Sequence, residues 1–437
     1  MEKVREQLKV AKERAILVGA LLKSKKRPAE NLMELSCLAE TAGAIVVDRF
    51  IQRIGRINPA TYIGKGKAAD LGGRVRRFKA DVVIFNNDLS PAQIRELEKI
   101  LEVKVVDRSE LILDIFATRA QTKQAKLQVE LAQLEYTYPR LTKMWSHLDS
   151  VAGAGGATKA GAVGGIGTRG TGEKQLEIDR RIVNKRISEL KRELVKIEKR
   201  RERETNSRRE YFRVCLVGYT NAGKSTLMNA LTDAGVFVED RLFATLDTRT
   251  RQWVPESGVT VLLSDTVGFV RNLPHQLVES FKATLEETVT ADLLIHVVDV
   301  SSGDAYDQVK SVETVLKEIG CADKPVIFVL NKVDAIETRE QLDLLKTLYA
   351  ESISISARTG IGLGELAGEV IERFHGDVIH VMLEVPASNG KIQSYLRAKG
   401  RIVTEEYVDS TVKIEAVLGS NQLDNLKRLK PENLKIL

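Results

Sequence analysis

The run Gly218-Tyr219-Thr220-Asn221-Ala222-Gly223-Lys224-Ser225 fits G-x-x-x-x-G-K-[ST], with an apolar stretch Val214–Val217 before it and a helix-forming stretch Thr226–Leu231 after it. In that strand–loop–helix setting the pattern cradles phosphate. Glycines at 218 and 223 let the backbone curl and turn its N–H groups toward an anion. The helix that follows adds the positive end of its dipole. Lys224 can reach β- and γ-phosphates, and the Ser225 hydroxyl is the kind of oxygen ligand Mg²⁺ takes.

Three more motifs follow apolar, strand-like runs: Asp265-Thr266-Val267-Gly268, Asn331-Lys332-Val333-Asp334, and Ser356-Ala357 with Arg358 after it. Asp265 stands where a water-mediated Mg²⁺ partner is needed, and the Gly268 N–H can meet a γ-phosphate. Asp334 offers two acceptors to the N1–H and exocyclic amine of guanine, a donor pair that adenine lacks. Asn331 can brace this loop and meet N7, and the Ala357 N–H can meet O6. Together the motifs predict GTP or GDP as bound nucleotide, Mg²⁺ as cofactor, and GTP hydrolysis with Lys224 and Gly268 among the catalytic groups.

A loop that senses the triphosphate should lie between Ser225 and Asp265. The segment Leu242-Phe243-Ala244-Thr245-Leu246-Asp247-Thr248-Arg249-Thr250 holds four candidate Mg²⁺ ligands, Thr245, Asp247, Thr248 and Thr250, and spacing does not choose among them. After D-x-x-G, where a Ras-like switch carries a water-orienting Gln, this chain has Phe269. A phenyl ring cannot orient a water by hydrogen bonding, so turnover of the isolated protein should be slow and stimulated by a partner.

These motifs need a mostly parallel sheet to hold them at its carboxyl edge, and the chain is long enough for that and more. At 437 residues, 43% of them hydrophobic, about three domains are expected. The fold class is α/β. The reading places a small N-terminal α/β domain at 1–115, a helical hairpin at 116–210 with a Gly-rich loop at 151–172, a P-loop GTPase domain with helices on both sheet faces at 211–374, and a small C-terminal α+β domain at 375–437. The N-terminal unit reads as independent, with parallel strands at Ala15–Leu22, Ala44–Phe50, Val82–Asn86 and Val103–Asp107. The C-terminal one reads as β-rich with a terminal basic helix.

In the hairpin, Leu127, Leu131 and Leu134 share one face, and Leu176, Val183, Ile187, Leu190, Leu194 and Ile197 form a heptad-like stripe on the second helix. Between them, Val151–Gly172 holds nine glycines with Lys159 and Arg169. It reads as a flexible basic loop able to approach an RNA backbone closely.

Net charge is +7, modest for a nucleic-acid binder, so its distribution matters more than its total. Three separated cysteines and five scattered histidines give neither disulfide nor metal-ligand spacing, which suits a reducing cytosol. His296 reads as a satisfied core histidine. No apolar run approaches membrane-span length, and Met1–Arg14 is charged without an apolar core, so no signal peptide is expected.

The chain resembles the HflX family of ribosome-associated P-loop GTPases. The resemblance rests on Tyr62-Ile63-Gly64-Lys65-Gly66-Lys67, Gly165-Ile166-Gly167-Thr168-Arg169-Gly170, Gly218–Ser225, Phe243-Ala244-Thr245-Leu246-Asp247, and Asp265-Thr266-Val267-Gly268-Phe269 running through Asn272-Leu273-Pro274. It departs at Thr171, where a proline is usual, and is weakest toward the C-terminus. The resemblance, not spacing, selects Thr245 as a catalytic switch residue and as the Mg²⁺ ligand beside Ser225. It implies a cytoplasmic monomer that binds the large ribosomal subunit. The Gly-rich loop would point toward rRNA near the peptidyl-transferase region, and the output would be splitting of stalled or idle ribosomes under stress. The competing reading is a regulatory GTPase acting on protein partners without RNA contact.

Overall fold

The computed structural model describes residues 12–22, 32–154, 169–206, 211–232, 243, 248–255, 260–271, 285–336, 339–375, 378–387, 389–408, 410–419, 422–423, 426–427, 429 and 431–436. Three four- to six-stranded sheets and one helical hairpin make up its architecture.

The N-terminal sheet is built from β1 (Arg14–Leu22), β2 (Ile45–Ile54), β3 (Val82–Phe85) and β4 (Lys104–Asp107), in the order β2-β1-β3-β4. Every pairing is parallel. The sequence dictates this, because β3 is the unbroken apolar run Val82-Val83-Ile84-Phe85, buried at every position. Such a strand must be covered on both faces, and helices 33–41, 65–78, 91–101 and 108–119 supply the cover. The Pro91–Leu101 helix starts where it does because Ser90 and Gln93 form a reciprocal capping box with Pro91 at the first helical position.

Helices Lys123–Ala154 and Arg169–Asn206 pair as an antiparallel hairpin. Arg186 contacts Glu130, Lys191 contacts Glu135, and Asn184 contacts Tyr138. The predicted apolar faces meet: Leu127, Leu131 and Leu190 are buried together, flanked by Leu134, Ile187, Leu194 and Ile197. The expected loop is shorter than its glycine content implies, since 151–154 and 169–172 are helical. Its centre, 155–168, lies outside the described residues.

The third unit joins β5 (Phe212–Gly218), β6 (Arg249–Trp253), β7 (Val261–Asp265), β8 (Leu293–Asp299), β9 (Val326–Asn331) and β10 (Ile353–Ser354) in the order β10-β9-β8-β5-β7-β6. Only edge strand β6 runs antiparallel. Four motif-bearing strands, β5, β7, β9 and β10, end at one edge, where an open α/β sheet binds its ligand.

The last sheet is antiparallel, with β11 (Val378–Pro386), β12 (Arg401–Val408), β13 (Thr411–Gly419) and β14 (Glu432–Ile436) in the order β12-β13-β11-β14. The helix 390–399 packs on one face of it. The last described element is strand β14, and helical residues at 422–423 and 426–427 precede it, where a basic helix is expected. Leu434 packs against the domain's apolar cluster, and β14 pairs with the exposed edge of β11.

The N-terminal unit does not stand alone. One buried cluster contains Leu35, Leu111 and Phe116 from it together with Cys215, Tyr219, Phe243, Phe269 and Val270 from the third unit. The local βα alternation of residues 1–115 suggests independence but carries no information about what covers the outer helices.

Candidate functional site

The phosphate loop takes the shape its glycines permit. Gly218 has φ +152 and Gly223 φ +94, and a Cβ at either would come within 2.3 Å of Val297 O or Asn331 Nδ2. Asn221, also left-handed at φ 62, completes the turn. Lys224 reaches back to the loop: its Nζ donates to Gly218 O at 3.1 Å and Tyr219 O at 2.9 Å. Burial pushes its pKa down to about 8, with Asp265 pulling the other way. A phosphate entering the loop would restore the full charge, so the site gains cation strength as it fills.

Ser225 Oγ donates to Asp265 Oδ2 at 2.6 Å. A hydroxyl and a buried carboxylate facing each other at the mouth of the loop are the donor set a hard cation with its waters needs, so these residues fit Mg²⁺. Among the candidate switch ligands, Thr250 lies in β6 and bonds Ser264 at 2.9 Å, which turns it away from that role. Ala244, Thr245, Leu246 and Asp247 lie outside the described residues, and Thr248 is half-buried.

On the opposite flank, Asn331 spans two loops. Its Nδ2 donates to Ala222 O at 2.8 Å, and its Oδ1 accepts from the Ala357 N–H at 3.0 Å. The Ala357 N–H is engaged by that bond, so meeting guanine O6 requires sharing it or giving it up. Lys332, left-handed at φ 67, pairs with Asp299 at 2.7 Å. Val333 begins a short 3-10 turn, and Asp334 within it is exposed. Ser356 is buried and its Oγ accepts from the Thr359 N–H, while Arg358 is exposed. The Asn331–Asp334 and Ser356–Arg358 motifs thus converge on one loop cluster.

The Asp265–Phe269 segment, the expected second switch (switch II), lies directly on the phosphate loop. Thr220 N donates to Phe269 O at 2.8 Å, and Phe269 N to Gly218 O at 3.2 Å. A Cβ on Gly268 would come within 2.6 Å of Thr220 Cα, so only glycine allows this approach. Thr266 Oγ1 donates to Leu216 O, and Val267 is buried. Phe243 donates its N–H to Thr220 Oγ1 at 2.9 Å and sits edge-on to Phe116 of the N-terminal unit, centroids 4.6 Å apart. Its φ of 57 is costly for an aromatic residue, and burial against Phe116 offsets that strain.

Sequence reasoning missed the residues that reach this site from the N-terminal unit. Tyr219 Oη donates to the Glu34 carboxylate and accepts from Arg271 N. Arg108, 4% exposed, donates to Glu34 and to Arg271 O. No local pattern flags them, because Glu34 and Arg108 are far from the motifs in the chain. His296 beside the site is buried as expected but not satisfied: its Nδ1 has no partner. Burial, with the Lys224 charge, pushes its pKa down to about 3, so it is neutral.

No helix among the described residues is long and apolar enough to cross a membrane, and no cluster of metal-ligating side chains is found among them. Similarity to known proteins agrees with the geometry. Residues 29–117 match a family described as GTP-binding GTPase N-terminal, 119–208 its middle region, and 213–332 one described as 50S ribosome-binding GTPase. A protein named GTPase HflX from Caldanaerobacter subterraneus subsp. tengcongensis is 44% identical over 94% of this chain and 92% of its own. Another of that name from Escherichia coli K12 is 42% identical over 88% of each chain. A solved GTP-binding protein from Sulfolobus solfataricus in complex with GDP aligns with 83% of this chain and 98% of its own at 26% identity and a TM-score of 0.42, a loose superposition.

Proposed function

The chain belongs to the HflX family of GTPases, and from that premise we propose that it is a Mg²⁺-dependent GTPase that binds the large ribosomal subunit and splits or rescues stalled or idle ribosomes under stress. The observation that carries the reading is the burial of Phe269 and Phe243 in the cluster shared with the N-terminal unit. The residue standing in the water-orienting position points into an interdomain core, where it is 2% exposed. At position 269 the ring is turned away from any attacking water, which supports a requirement for a partner.

In this reading Lys224 neutralises the β- and γ-phosphates, and the Gly268 N–H meets the γ-phosphate. Asn331, Lys332, Val333 and Asp334 hold guanine with Ser356, Ala357 and Arg358. Ser225 directly, Asp265 through water, and Thr245 in the triphosphate state would hold Mg²⁺. When bound, Mg²⁺ neutralises charge that develops on the phosphate oxygens. Water attacks the γ-phosphorus, the bond to the bridging oxygen breaks, and GDP and phosphate leave. Recognition of rRNA would fall to the basic hairpin helix and the Gly-rich segment between the two helices, in a cytoplasmic protein. The division at residues 115, 210 and 374 separates these roles.

Co-sedimentation with large subunits in the presence of a non-hydrolysable GTP analogue, at two salt concentrations, tests the partner. Binding that weakens steeply with salt is expected of phosphate contacts. Binding to no ribosomal particle at either salt would refute the ribosomal reading and favour protein partners.

A further inference from the structure

We infer that the Tyr219 side chain is a positioning residue for switch II, held in that role by a closed ring of hydrogen bonds through Glu34 and Arg108. The ring has four members. The Tyr219 hydroxyl donates to the Glu34 carboxylate. Arg108 donates to Glu34 Oε1 at 2.9 Å and to Arg271 O at 3.1 Å. The Arg271 N–H returns to the Tyr219 hydroxyl at 2.8 Å. Both peptide groups of Arg271 are therefore taken, one by the phosphate loop and one by the N-terminal unit. Arg108 is itself fixed by Asn86 Oδ1 at 2.9 Å.

The ring is dry enough to matter. Tyr219 and Arg108 are both buried while Glu34 is a quarter exposed, so an opened bond leaves a buried polar group unpaired on the Tyr219 or Arg108 side. Burial and the neighbouring Glu34 charge raise the Tyr219 phenol well above its usual range, with Arg271 N and Arg108 opposing. It stays a donor across the physiological range.

Geometry connects the ring to nucleotide state. Arg271 lies two residues after Phe269, whose N–H and C=O are both bonded to the phosphate loop, and Gly268 rests against Thr220. Bringing the Gly268 N–H onto a γ-phosphate shifts 268–271 relative to the loop, and the ring must stretch or open. A diphosphate makes no such demand. The ring therefore weighs against the triphosphate state only, and its strength sets the preference for GTP over GDP. This rests on the reading of Gly268 as the γ-phosphate contact.

The test uses the full chain, with fluorescent GDP and a fluorescent non-hydrolysable GTP analogue titrated separately. Tyr219→Phe is expected to raise the affinity ratio of analogue to GDP about fivefold, the scale of one buried hydrogen bond. Adding Arg108→Ala to Tyr219→Phe should change the ratio little further, because the ring is already open. Glu34→Gln, which keeps an acceptor but removes the charge facing Arg108, should move the ratio the same way by less, and serves if Tyr219→Phe folds poorly. Equal changes for both nucleotides in Tyr219→Phe or Glu34→Gln, whatever their melting temperatures, would reduce the ring to ordinary packing and overturn the proposal. Wild-type protein that bound neither nucleotide would overturn the site reading and the ring with it.

Discussion

The two flanks of the nucleotide site are built differently. The base flank closes on itself: Asn331, Ala357 and Ala222 all come from the third unit, joined by bonds within it. The phosphate and switch flank is finished by another part of the chain, through Phe116 against Phe243 and through Glu34 and Arg108 around Tyr219. On the proposed reading, base choice would then be a property of one unit and the response to the third phosphate would be shared between two, so that whatever grips the N-terminal unit could reach the switches. A self-contained base pocket and a borrowed switch wall suit a protein whose output is a conformational state.

Mutations can separate the flanks. The largest effect is expected of Lys224→Ala, which leaves phosphate charge uncompensated in a buried loop. GTP and GDP affinity should both fall by about a hundredfold or more, measured by equilibrium titration, with turnover lost. Asp334→Asn should weaken GTP roughly thirtyfold, the loss of charge-assisted hydrogen bonds, and favour xanthosine triphosphate, whose C2 oxygen accepts where guanine donates. Because Asp334 is on the self-contained flank, its GTP and GDP affinities should fall together. A loss confined to GTP would break the comparison.

A smaller effect is expected from pH. Burial lowers the Lys224 pKa to about 8 from 10.5, and a bound phosphate would raise it again. Binding then takes up a proton, so nucleotide affinity should be flat below pH 8 and fall by up to about tenfold per pH unit above it. Stability of the nucleotide-free chain should run the other way. Between pH 8 and 10.5 the unfolded state holds more protons than the folded one, so stability rises with pH across that window. Isothermal titration at several pH values and denaturation of the empty protein check the two signs. The smallest effect is expected in the hairpin, where Arg186 grips Glu130 through two bonds at 2.9 and 3.0 Å while partly exposed. Arg186→Ala should cost about 1 kcal/mol or less in urea unfolding and leave both nucleotide affinities unchanged.

The same contrast explains what could be read from the sequence. The base flank was legible because each motif is contiguous and ends a strand whose apolar run is visible. The parallel N-terminal sheet was legible from runs such as Val82–Phe85, and the hairpin from the Leu127 and Leu190 stripes. The switch wall was not. Tyr219 filled a position the motif leaves free, Glu34 and Arg108 looked like ordinary charges on helix ends, and their meeting depends on separations of 185 and 163 residues. Phe269 could be recognised as a missing glutamine, but its burial against another unit could not. Helical residues at 422–423 and 426–427 agree with the basic helix expected near the end of the chain, but the strand β14 after them was not legible. Pairing with β11, not local propensity, decides that segment.

The most direct test of the account is single-turnover GTP hydrolysis by the full chain, with and without purified large ribosomal subunits. With its switch aromatic buried and no water-orienting side chain in that position, the isolated protein should turn over slowly, and subunits should accelerate it by at least roughly tenfold. Equal rates with and without subunits would contradict the account, leaving a self-sufficient catalyst whose N-terminal unit only covers the switches.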